Sequence, residues 1–225
     1  MDRELILTQD GSHSIAMPAS GVSYHSRFGA ITESMHVFID SGLRPVLQAK
    51  PMLKVMEVGF GTGLNALLTW MEIEAGNREI YFEAIEPFPL ETHFISSLNY
   101  CAQLTRPDLQ ELFDRLHKAA WNRWTDISPR FHLKKHLVRL DQLSMARGHV
   151  DLVYFDAFAP VAQPELWTNI VFEKLFDLLS PGGCVVTYCA KGDVRRTMQA
   201  AGFIVQKLPG PPGKREIIRA FKPFR

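Results

Sequence analysis

Apolar and polar positions follow a repeated order along this chain, in which a short strand-type apolar run precedes a segment with apolar residues at helical spacing. Strands that alternate with helices predict an α/β fold with a mostly parallel sheet, because each return to the same edge needs a crossover. The last two strand-type runs flank a turn rich in proline and glycine, which predicts an antiparallel hairpin. The strand-type runs lie at 53–58, 79–85, 131–138, 151–155, 184–189, 203–207 and 216–221, and the helical patterns at 66–73, 90–98, 107–119, 164–179 and 193–201.

The first 50 residues have a different pattern. Two runs at 4–8 and 13–17 alternate apolar and polar positions around an Asp-Gly pair, which predicts a β-hairpin. Positions 31–39 then have helical spacing, and Gly42 with Pro45 beyond it predicts the end of that helix.

Length, charge and cysteine content narrow the class of protein. A chain of 225 residues suffices for one α/β domain, which we expect at 51–225, with residues 1–50 as an extension packed against it. The net charge of +1 predicts no general basic field, so any RNA contact needs local patches. The 3 scattered cysteines predict reduced core thiols rather than a disulfide framework or a metal site. We see no membrane-spanning run and no signal peptide, and therefore expect a cytoplasmic protein.

A glycine-rich turn follows the first strand of the predicted main domain and precedes a helix. Gly59, Gly61 and Gly63 stand at alternate positions, unlike the G-x-G-x-x-G of dinucleotide-binding proteins. Glu57 would repel a pyrophosphate but suits a cationic ligand group, and a turn that only packs would not call for it. This pattern is typical of the Rossmann-like class I methyltransferase fold, whose cofactor S-adenosylmethionine carries an ammonium and a sulfonium. The predicted cofactor-binding residues of this turn are Glu57, Gly59, Phe60, Gly61, Thr62, Gly63 and Asn65.

Acidic residues recur at or near the ends of successive strands, where parallel strands meet at one edge of the sheet. Glu86, followed by Pro87, is placed to accept both ribose hydroxyls of the cofactor. Asp141 is placed to accept from the adenine amino group, and Asp156 lies nearest the sulfonium. Any one carboxylate could simply mark an exposed loop, but four in equivalent positions indicate a ligand site.

The segment 156–160, Asp-Ala-Phe-Ala-Pro, resembles the Asp-Pro-Pro-aromatic motif of enzymes that methylate exocyclic amines. A carboxylate there can orient the N–H of a neutral amine and receive its proton. We therefore predict Asp156 as the catalytic residue. The alternative is a turn in which Phe158 and Pro160 are merely packed.

Several longer stretches point to one family of enzymes. They are the segments 33–38, 57–65, 86–90, 156–160, 163–167, 194–196, 201–203 and 213–216. Together they resemble the bacterial tRNA methyltransferases that complete 5-methylaminomethyl-2-thiouridine at the wobble position. The resemblance implies methyl transfer from S-adenosylmethionine to the aminomethyl nitrogen of that uridine. Many members carry a C-terminal flavin-dependent oxidase, which this sequence lacks, so we expect the standalone form, with a monomer favoured.

The resemblance also implies substrate contacts. Tyr24, His25 and Ser26 could cover the cofactor, and Phe158 or Trp167 could stack on a flipped-out uracil. Packed aromatics and a satisfied loop histidine are equally good interpretations of these residues. The basic residues expected to contact tRNA phosphates, or else to form a solvated charged face, are Arg195, Arg196, Lys214 and Arg215.

Two other functions remain open at this stage. A class I methyltransferase or aminopropyltransferase acting on a small amine would use the same glycine turn and carboxylates. A non-catalytic module that binds S-adenosylmethionine or RNA is a second alternative, although it would have no need of Asp156.

Overall fold

The computed structural model describes residues 3–48 and 50–224. Met1 and Asp2, part of the segment used to predict the absence of a signal peptide, lie outside the described residues. The same holds for Ala49, next to the predicted domain boundary, and for the terminal Arg225.

Within residues 3–48 and 50–224, eight strands form the central sheet. They are β4 (Met52–Val58), β5 (Glu79–Ile85), β6 (Trp124–Ser128), β7 (Phe131–His136), β8 (Val150–Phe155), β9 (Leu179–Thr187), β10 (Ile204–Pro209) and β11 (Glu216–Phe221). Their order is β10-β11-β9-β8-β4-β5-β7-β6, with β7, β5, β4, β8 and β9 parallel to one another. The predicted parallel sheet with a terminal antiparallel hairpin is confirmed, with β10 and β11 as the hairpin.

The prediction of seven strands was one short, because β6 was missed. This strand pairs antiparallel with β7 at the edge of the sheet. Its sequence, Trp-Thr-Asp-Ile-Ser, buries only Ile127, so it has no apolar run of the kind that marks a central strand.

The N-terminal segment forms a separate sheet of three antiparallel strands, β1 (Glu4–Leu7), β2 (His13–Met17) and β3 (Val22–Ser23). The predicted hairpin at 4–8 and 13–17 is thereby confirmed, with Leu5 opposite Ile15.

The helix that follows does not end near Gly42, so that prediction was wrong. Helical turns continue through α1 (Ala30–Ser34), a π-helical segment (Met35–Leu43) and α2 (Arg44–Leu47). A Cβ on Gly42 would lie 2.9 Å from Cγ2 of Val186 on β9. The glycine therefore allows the helical segment to approach the sheet closely rather than ending it.

The remaining helices cover both faces of the sheet. They are α3 (Leu64–Ile73), α4 (Thr92–Ile95), α5 (Tyr100–Gln103), α6 (Gln110–Lys118), α7 (Asn169–Leu178) and α8 (Gly192–Ala200). One core cluster lies between the sheet and α3, α6 and the N-terminal helical segment, and a second lies under α7 and α8. Within the described ranges, no helix is long and apolar enough to cross a membrane.

Two element boundaries differ from the sequence pattern. The pattern at 90–98 forms only the short α4, and β9 begins at Leu179, so it includes the Ser-Pro-Gly-Gly segment between the predicted helix at 164–179 and the predicted strand at 184–189. Leu179 pairs with Val150, and a shift in register follows before Leu152 pairs with Cys184. Such a bulge lets a strand contain residues that a regular ladder excludes.

Candidate active site

A cavity of about 680 Å³ opens at the carboxyl ends of β4, β5 and β8. The turns after these three strands form one side of it, and residues of the N-terminal segment form another. Ligands of open α/β sheets bind at this edge. They bind where the connections from two neighbouring parallel strands lead to opposite sides and leave a crevice between the strand ends.

The glycine turn after β4 packs closely against the Asp156 backbone and the Tyr24 ring. Gly59, Gly61 and Gly63 all have positive φ, at 94°, 48° and 73°. A Cβ on Gly59 would lie 2.9 Å from the carbonyl oxygen of Asp156, and one on Gly61 would lie 2.9 Å from Cδ1 of Tyr24. Glycine is therefore required here both by conformation and by space.

Glu86 joins two of the turns that line the cavity. Its Oε2 accepts from the Gly61 amide at 3.0 Å, and its Oε1 accepts from the Phe88 amide at 2.8 Å. Burial raises the pKa of this carboxyl above its ordinary value. The neighbouring Pro87, which was predicted together with Glu86 after the end of β5, also lies in the cavity wall.

Arg3 is a wall residue that sequence reasoning missed. Its guanidinium donates to the Phe88 carbonyl at 3.0 Å and pairs with Glu91 at 2.6 Å, so it ties the N-terminal segment to the turn after β5. A single arginine near the start of a chain has no local pattern that would reveal this role.

Asp156, at the end of β8, lies in the wall beside Asn65 of α3. Nδ2 of Asn65 donates to Oδ2 of Asp156 at 2.9 Å and to Oε1 of Glu57 at 2.8 Å. Burial, followed by the charge of Glu33, raises the pKa of Asp156 to about 7. Burial and the neighbouring Asp156 also raise the pKa of Glu57 well above its ordinary value.

Not every predicted cofactor residue reaches the cavity. Glu57 and Gly63 lie outside its wall, and Glu57 is buried behind Asn65. Asp141 does line the cavity, where its carboxylate is 3.3 Å from Nε of Arg139. Predicted cofactor residues that the structure brings together in the wall are Gly59, Phe60, Gly61, Thr62, Asn65, Glu86, Pro87, Asp141 and Asp156.

The segment 156–163 after β8, here called the reaction loop, is held by three side chains. The Tyr188 hydroxyl donates to the Ala157 carbonyl at 2.8 Å, and Nε1 of Trp167 donates to the Phe158 carbonyl at 2.9 Å. The Phe158 amide donates to Oε1 of Gln163 at 3.0 Å. The loop that carries Asp156 is thus fixed through its backbone rather than left to move freely.

Of the two predicted stacking aromatics, only Phe158 lines the cavity. Its ring packs edge-to-face against Tyr24, with ring centroids 5.0 Å apart. Trp167 is buried among Phe155, Phe172 and Tyr188, beneath the reaction loop. The structure therefore gives Trp167 a supporting position and leaves Phe158 as the aromatic that a ligand could reach.

Tyr24 and His25 also lie in the wall. His25 is buried, with Nδ1 at 3.2 Å from the Ser14 hydroxyl, and burial lowers the pKa of His25 to about 4. This imidazole is consequently neutral at physiological pH and does not add a positive charge to the site.

The predicted tRNA-contacting residues lie outside the cavity wall. Arg215 and Arg196 are exposed, the latter paired with Asp193. Arg195 is half-buried. Lys214 pairs with the buried Glu33, and its ammonium lies 3.9 Å from the ring centroid of Tyr188. Lys214 is therefore engaged within the protein, unlike the exposed arginines.

The wall suits a ligand that is cationic and rich in hydrogen-bond donors. Glu86, Asp141 and Asp156 supply carboxylate acceptors, and the two arginines of the wall, Arg3 and Arg139, pair with Glu91 and Asp141. Oδ1 of Asn65 and Oγ1 of Thr62 are buried wall atoms without a hydrogen-bond partner in the part of the chain that the structure describes. The described residues contain no group of three or more His, Cys, Asp or Glu that could hold a metal ion.

Fold and site together define a class I methyltransferase that uses S-adenosylmethionine. Residues 113–223 match a family model described as S-adenosyl-L-methionine-dependent methyltransferase. The glycine turn and the three carboxylates in the cavity wall fit that cofactor.

The sequence relatives are longer proteins than this chain. The chain is 32% identical, over 96% of its length, to the tRNA 5-methylaminomethyl-2-thiouridine biosynthesis bifunctional protein MnmC of Aromatoleum aromaticum. It is 33% identical over 95% of its length to the protein of the same name from Cupriavidus metallidurans. The chain spans about a third of these relatives, 34% and 33% of their respective lengths.

Solved structures share the fold. MNMC2 from Aquifex aeolicus superposes with a TM-score of 0.76 at 20% identity, covering 100% of this chain and 70% of that one. Spermidine synthase from Thermotoga maritima gives a TM-score of 0.64 at 14% identity, covering 99% and 70%. At these identities the likeness concerns the fold alone.

Replacing Trp167 with phenylalanine tests the support of the reaction loop. We expect kcat to fall about 10-fold and the free energy of unfolding to drop by about 1 kcal/mol, because the half-buried Phe158 carbonyl loses its donor. Steady-state methyl transfer and thermal unfolding measure both effects. Trp124→Phe, at the exposed edge strand β6, is the matched control and should change neither. An unchanged kcat in Trp167→Phe would contradict the supporting role.

Proposed function

We propose that this chain transfers a methyl group from S-adenosylmethionine to the amino nitrogen of 5-aminomethyl-2-thiouridine at the wobble position of tRNA. The proposal is carried by one observation, the Asp156 carboxylate held in the wall of a cofactor-type cavity next to the aromatic Phe158. The MnmC relatives are named for the biosynthesis of 5-methylaminomethyl-2-thiouridine in tRNA, which supports the choice of substrate.

Different residues of the cavity wall are proposed to hold different parts of the cofactor. Glu86 would accept from the ribose hydroxyls, and Asp141 from the adenine amino group. The glycine turn, with Gly59 and Gly61 in the cavity wall, would lie under the methionine part. When bound, S-adenosylmethionine supplies a methyl group on a sulfonium, and its transfer to an amine releases one proton.

Asp156 is proposed to orient the substrate amine and to take that proton. An amine attacks only when it is neutral, so a carboxylate that accepts its N–H both aims the lone pair and receives the proton. With a pKa of about 7, Asp156 is ionised at mildly alkaline pH and ready to accept. The Tyr24 and Phe158 rings would limit water around the amine, which favours reaction by positioning.

Phe158 is the proposed stacking partner of the uracil, since its ring lies in the wall and is partly exposed. Arg195, Arg196 and Arg215 remain the proposed phosphate contacts, and Lys214 is no longer among them because it pairs with Glu33. We also propose a monomer as the working unit. The proposed tRNA substrate implies a cytoplasmic location.

A small-amine methyl- or aminopropyltransferase is the weaker candidate. Spermidine synthase shares the fold at 14% identity, whereas the MnmC relatives match at 32% and 33% over nearly all of this chain.

The test is transfer of labelled methyl from S-adenosylmethionine to tRNA that carries 5-aminomethyl-2-thiouridine. We expect label in the wobble nucleoside of that tRNA and none in tRNA without the aminomethyl group. Putrescine and spermidine run in parallel as alternative acceptors. Label in the small amines alone would contradict the tRNA proposal.

A further inference from the structure

Asn65 occupies an unusual position, because a single amide nitrogen bridges two carboxyl groups. Its Nδ2 has two hydrogens, and they go to Oε1 of Glu57 at 2.8 Å and Oδ2 of Asp156 at 2.9 Å. The side chain is only 3% exposed and sits in the first turn of α3. Rotating this amide would break both bonds at once, so its orientation is fixed.

Glu57 acts as the anchor of this arrangement. It is 1% exposed in the central strand β4, and it bonds to Asn65 from behind the cavity wall. Burial and the nearby Asp156 both raise the pKa of Glu57 well above its ordinary value, so its charged form is disfavoured beside Asp156. When Asp156 is ionised, the bond from Asn65 to its carboxylate is charge-assisted.

The hydrogen bond from Asn65 also determines which carboxylate oxygen of Asp156 is left for a substrate. Oδ2 is occupied by Asn65, whereas Oδ1 accepts no hydrogen bond from the described residues. The backbone of the same residue is held as well, because its amide donates to the Val58 carbonyl at 3.1 Å. The carboxylate can then present Oδ1 to a substrate N–H in a single orientation.

We propose that Asn65 is the positioning residue of the methyl-transfer reaction, which clamps Oδ2 of Asp156 against Glu57 and leaves Oδ1 for the substrate amine. The proposal rests on the proposed amine methylation and gives Asn65 a task beyond cofactor binding. It also accounts for a carboxylate at Glu57 that does not reach the cavity.

Other charged and titratable groups also act on Asp156. Glu33 raises its pKa, while Lys214 and the bond from Asn65 lower it. Tyr188 and Tyr100 are raised in pKa by burial, with Asp156 as a further cause, and remain neutral in the working range. Loss of Asn65 removes one of the two influences that favour the ionised form, so the pKa of Asp156 must rise.

The experiment compares Asn65→Ala and the isosteric Asn65→Asp with the unmodified chain, with Asn77→Ala at an exposed turn as the control. We expect kcat to fall about 100-fold in both Asn65 variants, with the KM for tRNA within about threefold. The acid limb of the kcat profile should move up by about 1 to 2 pH units. Thermal unfolding and cofactor titration show whether each variant is folded.

A second readout does not depend on activity. Carbon-detected NMR of the Asp156 carboxyl should show the same upward shift in Asn65→Ala, and no shift in Asn77→Ala. In the Asp156→Asn background, Asn65→Ala should cost little further activity, because both substitutions act through one group. An unchanged Asp156 titration would overturn the positioning role. So would a double variant in which the activity losses of the two single substitutions multiply. If the unmodified chain fails to methylate tRNA, the proposed function fails, and the NMR titration still decides the role of Asn65.

Discussion

Replacing Asp156 with asparagine should reduce methyl transfer by about 10²–10⁴-fold, because the site loses its proton acceptor. Asparagine keeps the shape of the side chain, and its oxygen can still accept from Nδ2 of Asn65. The geometry of the reaction loop therefore stays, while the ability to take a proton is lost. In the unmodified chain the rate should rise with pH through about 7, where Asp156 ionises, and this limb should be absent from the variant.

The same substitution should make the fold more stable at alkaline pH. The pKa of Asp156 is about 7 in the folded chain, whereas the ordinary value for an aspartate is 3.8. A raised acid pKa means that the folded state holds the proton more tightly, so its contribution to stability declines as pH rises from about 4 to 7 and stays low above. Asparagine removes this cost, which we put at about 2–4 kcal/mol at pH 8.

Single-turnover methyl transfer and thermal unfolding at pH 5 and pH 8 measure the two effects. The stability gain of Asp156→Asn should be larger at pH 8 than at pH 5. Asp193→Asn, an exposed aspartate at the start of α8, serves as the control for the change of charge and should show neither effect. Full activity in Asp156→Asn would refute the proposed proton acceptor.

Replacing Glu86 with alanine should weaken binding of S-adenosylmethionine by about 100-fold, or about 3 kcal/mol. The variant loses the proposed ribose acceptor. It also frees the Gly61 and Phe88 amides, which Glu86 now holds at 3.0 and 2.8 Å, so two turns of the cavity wall lose their link. Glu86→Gln keeps one acceptor oxygen. It should bind S-adenosylmethionine more weakly than the unmodified chain and more tightly than Glu86→Ala.

Calorimetric titration with S-adenosylmethionine gives these affinities directly, without a tRNA substrate. Glu111→Ala, on the exposed surface of α6, is the control for the loss of a carboxylate and should bind normally. A dissociation constant for Glu86→Ala within threefold of the unmodified chain would rule out Glu86 as the ribose-binding residue.

Much of the cavity could be predicted because its residues follow a local pattern. Glu86 and Asp156 come directly after strands of a parallel sheet, and such strands end at the same edge. Glu57 lies inside β4 rather than beyond it, so its side chain is buried behind the wall. A spacing of two residues from the first glycine does not reveal this difference.

Partners that are distant along the chain could not be predicted in this way. Lys214 looks like a surface cation in sequence, yet it pairs with Glu33, 181 residues earlier. Trp167 resembles a stacking aromatic, yet its ring lies beneath the loop that it supports. Both roles depend on which elements pack together, and helix and strand periodicity carries no information about that.

The sequence by itself determined the alternation of strands and helices, the glycine turn and the carboxylates that meet at one sheet edge, because these depend on neighbours in the chain. Only the tertiary structure decided which carboxyl faces the cavity, which cation remains exposed, and how Asn65 joins Glu57 to Asp156. Burial and charge act through space, so they depend on distances that only the folded chain establishes.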